Sequence, residues 1–160
     1  MTIKVGDRIP SASLKHMTAD GMQTITTDQL FKGKKVVLFA LPGAFTPTCS
    51  AKHLPGFVQN ADAIKGKGVD TIACLSVNDA FVMNAWGKDQ KVGDKVMMLA
   101  DGNADFSKAV GLTMDGTGYG MGTRAQRYAM VVQDGVVKAL NVEAPGAFEV
   151  SSAESIIKAL

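Results

Sequence analysis

Cysteine and histidine are scarce in this chain: its 160 residues include only Cys49 and Cys74, His16 and His53. That scarcity excludes a disulfide scaffold, because small bridged domains carry several pairs. It also excludes a structural zinc finger, whose four ligands would use up every cysteine and histidine present. A surplus of charge of one sign is missing as well. Lys and Arg number 17 against 15 Asp and Glu, a formal net charge of +2. This is too little to argue for nucleic acid or an anionic membrane as partner. Long apolar runs are absent too. The longest, residues 36–45, is broken by Pro42 and Gly43 and falls far short of the roughly 20 residues that a membrane span needs. No basic stretch leads into an apolar one at the N-terminus, so no signal peptide is read and the cytoplasm is the expected compartment.

What is present suits a single globular domain over residues 1–160, with 46% hydrophobic residues and 20% charged ones. That length is enough to bury a core without a staple. Strand-like and helix-like segments alternate. Residues 36–41 form a continuous apolar run bounded by lysines and then Pro-Gly, which suits a strand buried on both faces. Leu54, Phe57, Val58, Ala61 and Ile64 follow at helical spacing, closed by Gly66 and Gly68. Residues 69–77 read as a second buried strand. Asn78-Asp79 then caps a helix through Phe81, Val82, Ala85 and Trp86. Residues 96–99 form a third strand. Residues 128–132 and 136–142, joined by Asp134-Gly135, form a hairpin, and residues 153–160 a closing helix. The order implies an α/β sandwich of thioredoxin type, a mixed central sheet with helices on both faces.

The informative stretch is Leu41-Pro42-Gly43-Ala44-Phe45-Thr46-Pro47-Thr48-Cys49, which joins the first buried strand to the helix after it. Thr46 followed by Pro47 is a helix start, with Thr as cap and Pro at the first helical position. Cys49 then lies in the first turn, where the helix dipole and unpaired amides stabilise a thiolate. The alternative is a free cysteine that simply packs beneath the helix. His53 lies four residues on and shares a helix face with Cys49. Cys-x-x-x-His could serve a metal or a catalytic pair, but no second ligand pair supports a metal, so a supporting or helix-surface role is favoured for His53 and no metal is expected. Pro55 should kink this helix or remove one of its hydrogen bonds.

Pro42-x-x-x-Thr46-x-x-Cys49 matches the active-site signature of the peroxiredoxins. The block from Leu41 to Ser50, followed by His53-Leu54-Pro55-Gly56-Phe57, resembles the type-5 or plant type II subgroup. The resemblance continues in Leu75-Ser76-Val77-Asn78-Asp79, in Trp86, and from Arg127-Tyr128 to Asp134-Gly135. It implies a thiol-dependent peroxidase acting on hydrogen peroxide and alkyl hydroperoxides, with no cofactor. Cys49 would be the peroxidatic thiolate and would become a sulfenic acid. Arg127 would hold the sulfur ionised and bind the peroxide oxygens; without the resemblance it reads as a solvated cation at a strand start. Thr46 would orient the peroxide through its hydroxyl. Pro42 would limit water at the thiolate. The resemblance also implies a homodimer packed near the active-site loops, with Phe45 and Phe81 as contact candidates.

The cysteine inventory bears on how the sulfenic acid is reduced. Some type-5 members carry a resolving cysteine in the region corresponding to residues 149–152, and this chain has none there. Plant type II members have a second cysteine at the position of Cys74, which reads here as a buried, mid-strand thiol. A one-cysteine cycle with glutathione or glutaredoxin as reductant is favoured over a Cys49–Cys74 disulfide reduced by thioredoxin. A redox sensor or holdase that does not turn over is a further alternative. A disulfide reductase is not supported, because Cys-x-x-Cys is absent. Gly120-x-Gly122-x-x-Ala125 is a literal dinucleotide fingerprint, but it should follow a strand and open a helix. A strand follows it instead, so a mobile loop approaching Arg127 is expected and nicotinamide cofactor binding is not.

Overall fold

The computed structural model describes residues 2–160. An N-terminal hairpin, β1 (Ser13–Thr18) and β2 (Gly21–Thr26), runs into the short helix α1 (Thr27–Phe31), and β3 (Lys35–Ala40) follows. After the Pro42 loop comes a helical stretch that ends in α2 (Leu54–Gln59) and α3 (Ala61–Lys65), and then β4 (Thr71–Ser76). The chain continues through α4 (Ala80–Asp89), β5 (Met97–Ala100) and α5 (Asp105–Val110). A small hairpin, β6 (Thr113–Asp115) and β7 (Thr123–Ala125), precedes β8 (Tyr128–Gln133), β9 (Val136–Val142) and α6 (Ala153–Lys158).

Seven strands form one mixed sheet in the order β2-β1-β5-β4-β3-β8-β9. The centre, β5-β4-β3, is parallel, and β8 and β1 join it antiparallel on either side. Every residue of β3 after Lys35 is buried, because helices cover both faces of the sheet. Strand alternation then divides the core. Val36, Leu38 and Ala40 pack with Leu30, Phe31, Phe106 and Val110 from α1 and α5. Val37, Phe39 and Leu41 face the opposite layer, built from Leu54, Phe57, Ile64, Met83, Trp86 and Ile156 on α2, α3, α4 and α6. Both cysteines lie in this second layer, and Cys74 pairs in register with Phe39.

The buried strands, the α4 start and the β8–β9 hairpin form where the sequence pattern places them. Asp79 caps α4 by accepting from the Val82 amide at 2.8 Å. The hairpin turn has left-handed backbone at both Asp134 (φ 49°) and Gly135 (φ 79°), the geometry Asp-Gly supplies in a two-residue turn. The helical segment read from Leu54 to Ile64 divides at Asn60, whose side-chain amide donates to the Gly56 carbonyl at 2.8 Å. Asn competes in this way for backbone partners and interrupts a helix. The glycine-rich stretch before Arg127, expected as a loop, contains the β6–β7 hairpin. Its two short strands pair Met114 with Arg124, and Gly120 and Gly122 both occupy positive φ in the connection between them. The last three residues of the fingerprint are β7 itself, so it opens no helix.

Candidate active site

Helical hydrogen bonding begins at Pro47, so Cys49 falls in the first turn as the sequence implies. Thr46 does not cap this helix with its side chain. Its hydroxyl donates to the Gly43 carbonyl at 2.7 Å, while its own carbonyl accepts from the Ser50 amide at 2.9 Å. The next turn, Cys49–His53, is a π-helix, in which the Leu54 amide reaches back to the Cys49 carbonyl. Pro55 explains the widening. It has no amide to donate, and its ring would collide with the carbonyl of residue 51 in a regular helix, a strain that one wide turn relieves.

Arg127 arrives from the other half of the chain. Antiparallel pairing of β3 with β8 sets Ala40 opposite Tyr128, which brings the residue before Tyr128 to the end of β3 from which the Cys49 loop leaves. One arm of the guanidinium, Nη2, donates to Cys49 Sγ at 3.2 Å; the other, Nη1, donates to His53 Nδ1 at 2.9 Å. Arginine can only donate, so Nδ1 of His53 is an acceptor and Nε2 carries the hydrogen. That hydrogen goes to the Ser151 carbonyl, 3.0 Å away. His53 is fully buried rather than on the helix surface, among Phe39, Phe57 and Phe148. Arg127 also lies 5.8 Å from the centre of the Phe148 ring, a favourable place for a cation.

The network continues to the C-terminal segment. Glu143 Oε2 accepts from the amides of Glu149 and Ser151 and from the Ser151 hydroxyl, all at 2.6–2.8 Å. Burial works to raise the Glu143 carboxyl, but these hydrogen bonds, led by Ser151, hold it below its ordinary value. A carboxylate thereby fixes the strand of backbone that in turn fixes His53, and His53 fixes Arg127. Two further ties seat the cysteine loop. Trp86 Nε1 donates to Ser50 Oγ at 3.0 Å, and the Ala44 amide donates to Asn78 Oδ1 at 3.0 Å.

Burial first, and the neighbouring Arg127 charge second, push His53 down from 6.5 to about 3. It is therefore neutral at working pH and able to accept from Arg127. The unfolded chain protonates this imidazole below 6.5 and the folded chain does not, so its contribution to stability is complete above 6.5 and is lost as pH falls toward 3. Between pH 7 and pH 5 the wild type should lose about 2 kcal/mol more unfolding free energy than His53→Gln does. Urea titrations of both proteins at the two pH values measure it; equal losses would assign the imidazole no part in acid sensitivity.

Of the four residues expected in the site, the structure joins Cys49 directly to Arg127. Pro42 and Arg127 both line a cleft of about 550 Å³, together with Thr48, Met114, Tyr119, Gln126, Glu143 and Pro145. Thr46 stays in the turn beside them, with no hydrogen bond to Cys49. Cys49 is fully buried and is not among the residues that line the cleft. His53, for which the sequence favours a supporting or helix-surface role, takes the supporting one by accepting from Arg127, and Glu143 and Ser151 join it without having been read from sequence. Only the Cys49–His53 spacing signals one of them. Cys74 is fully buried and unbridged. Burial chiefly, with the neighbouring Cys49 adding to it, raises its thiol well above the ordinary range.

Known proteins are similar to this chain over its whole length. The Redoxin family model matches residues 4–157. Peroxiredoxin-2E, chloroplastic, of Arabidopsis thaliana is 51% identical over 163 residues, covering 99% of this chain and 70% of that protein. Peroxiredoxin-2B of the same plant is 47% identical, over 99% of this chain and 98% of its own. The crystal structure of reduced Prx3 from Vibrio vulnificus in complex with hydrogen peroxide superimposes with a TM-score of 0.96, at 56% identity and 99% coverage of both chains.

Proposed function

The chain belongs to the Redoxin family and is a peroxiredoxin, a thiol-dependent peroxidase, and from that premise we propose that Cys49 alone carries the chemistry in a one-cysteine cycle. The observation behind this reading is the single guanidinium shared between Cys49 Sγ and a neutral, buried His53. Arg127 sets a permanent positive charge and a hydrogen-bond donor 3.2 Å from the sulfur. Its donors are fixed before substrate arrives, so no reorganisation is needed during reaction.

The thiolate attacks the terminal oxygen of the hydroperoxide. A sulfur–oxygen bond forms, the O–O bond breaks, and the electron pair leaves on the second oxygen, which takes a proton and departs as alcohol or water. Sulfur is oxidised to a sulfenic acid and the peroxide is reduced by two electrons. Arg127 stabilises charge building on the oxygens. The Thr46 hydroxyl gives its one hydrogen to Gly43, so toward a peroxide it serves as acceptor. Pro42 supplies an apolar wall at the mouth. The Vibrio vulnificus relative was crystallised in complex with hydrogen peroxide, and the apolar share of the cleft suits alkyl hydroperoxides.

For the reducing half-cycle, a first glutathione condenses with the sulfenic acid, releasing water and leaving a mixed disulfide. A second glutathione, or glutaredoxin, displaces Cys49 as thiolate. Cys74 is a poor partner for this step: it sits mid-strand, fully buried, its thiol held protonated. Cys74→Ser should therefore keep peroxide turnover with glutathione and glutaredoxin within about two-fold of wild type, since removing a thiol that is never a thiolate costs no chemistry. Loss of turnover with every reductant, while one sulfenic acid still forms, would establish the two-cysteine cycle through thioredoxin instead. A protein oxidised once per chain with no sustained consumption would be the sensor or holdase.

A homodimer is the proposed assembly. Phe45 and Phe81 support it, being 54% and 64% exposed, one in the active-site loop and the other at the start of α4. Two free thiols and dependence on a thiol reductant favour a reducing compartment such as the cytoplasm.

A further inference from the structure

We propose that Arg124 is a positioning residue for the peroxidase reaction, clamping the Pro42–Gly43 turn to the β6–β7 hairpin so that the wall of the peroxide cleft is closed. The proposal rests on Cys49 being the attacking residue. Arg124 Nη1 donates to the Pro42 carbonyl at 3.2 Å, and its Nε donates to the Met121 carbonyl at 2.9 Å. The one side chain thus reaches a segment 82 residues away in sequence. The hairpin it stands on is a separate two-stranded sheet, not hydrogen-bonded into the seven-stranded one. The hairpin nevertheless supplies Thr113, Met114 and, from its connection, Tyr119 to the same cleft that Pro42 lines. Its seating on the Pro42 turn therefore decides the width of the cleft.

The packing at this corner leaves no slack. A methyl group added at Gly43 would lie 3.0 Å from Arg124 Nη1, 3.1 Å from Thr46 Cγ2 and 3.5 Å from Met121 Cε. One added at Gly116 would lie 2.9 Å from Met121 Cβ and 3.0 Å from the Gly122 carbonyl. Glycine at 43 thus lets the guanidinium come close enough to reach the Pro42 carbonyl. The same corner presses on Thr46, the residue expected to orient the peroxide. Among the described residues the one ion pair is Lys4–Asp7. No carboxylate competes for Arg124, and its donors go to backbone carbonyls.

The test compares two reactions of the same sulfur in the full-length protein. Oxidation of Cys49 by hydrogen peroxide needs an organised cleft, whereas alkylation by iodoacetamide needs only that the buried sulfur be reached, which a loosened cleft wall does not hinder. Arg124→Met should slow single-turnover oxidation by about 10- to 100-fold, the scale of a sub-ångström to ångström misplacement of reacting groups. Iodoacetamide alkylation should be no slower than about half the wild-type rate, because the Arg127 contact to Sγ at 3.2 Å is untouched and a loosened wall admits the reagent at least as well. Arg124→Lys, with one compact donor group in place of a fork, should fall between the two. Gly43→Ala leaves Arg124 in the chain but obstructs its reach, and should reproduce the selective loss. It also serves as the second route should Arg124→Met fail to fold. Unchanged oxidation in Arg124→Met, or parallel slowing of both reactions, would overturn the proposal. Wild type that alkylates normally yet does not react with peroxide would instead overturn the Cys49 assignment on which it rests.

Discussion

Cys49→Ser should consume hydrogen peroxide no faster than buffer does, with glutathione and glutaredoxin or with thioredoxin as reductant. A serine hydroxyl at this position stays protonated at neutral pH even beside Arg127, and its oxygen cannot accept an oxygen atom from peroxide as sulfur does. The change is nearly isosteric at a fully buried site, so the fold and its melting transition should survive. The variant thereby separates chemistry from stability. Cys74 cannot substitute for the missing thiol, because it lies mid-strand in the same core layer with its thiol held protonated. Retained turnover in Cys49→Ser would place the reaction on another residue.

Arg127→Met should lower kcat/KM for hydrogen peroxide by about 10²- to 10³-fold, the usual cost of removing a preorganised donor to developing charge on oxygen. Alkylation of Cys49 should slow with it, since the cation at 3.2 Å from Sγ is gone. This parallel loss distinguishes Arg127 from Arg124, for which only the peroxide reaction should suffer. Stability should fall by about 1–3 kcal/mol, because the buried Nδ1 of His53 loses its donor. Arg127→Lys should recover part of the rate and not all of it. A lysine keeps the charge but offers a single ammonium, which cannot span Sγ and Nδ1 as a fork does. Stopped-flow oxidation and iodoacetamide alkylation, run on all three proteins, give both rates. A kcat/KM within a few-fold of wild type in Arg127→Met would remove Arg127 from the reaction.

The cysteine was legible in sequence because its signals are local. A buried apolar strand, a Thr-Pro helix start and a thiol in the first turn all fall within 15 residues, and the Pro42, Thr46 and Cys49 pattern carried the family resemblance. Arg127 had no local signal. It reaches the sulfur only because β8 pairs with β3 in a register that sets Tyr128 against Ala40, and a register between distant strands is not written in either segment alone. His53 was visible as a neighbour on the helix, but its burial depends on Phe148 and Ser151 from the far end of the chain. The same distance concealed the Glu143 contacts and the Arg124 clamp. The β1–β2 hairpin escaped for a different reason. As an edge pair with polar, half-exposed residues, it lacks the apolar alternation that marks a strand, and only Asp20-Gly21 hints at its turn. Thr46 shows how a correct boundary can rest on another contact. The helix begins after it, but its hydroxyl bonds to Gly43 in place of the helix amides.

The most direct measurement is mass spectrometry of wild-type protein treated with one equivalent of hydrogen peroxide in the presence of dimedone, which traps sulfenic acids. The adduct should appear on the peptide carrying Cys49 and not on the one carrying Cys74, at close to one per chain. An adduct on Cys74, or peroxide consumed with Cys49 left unmodified, would contradict the account.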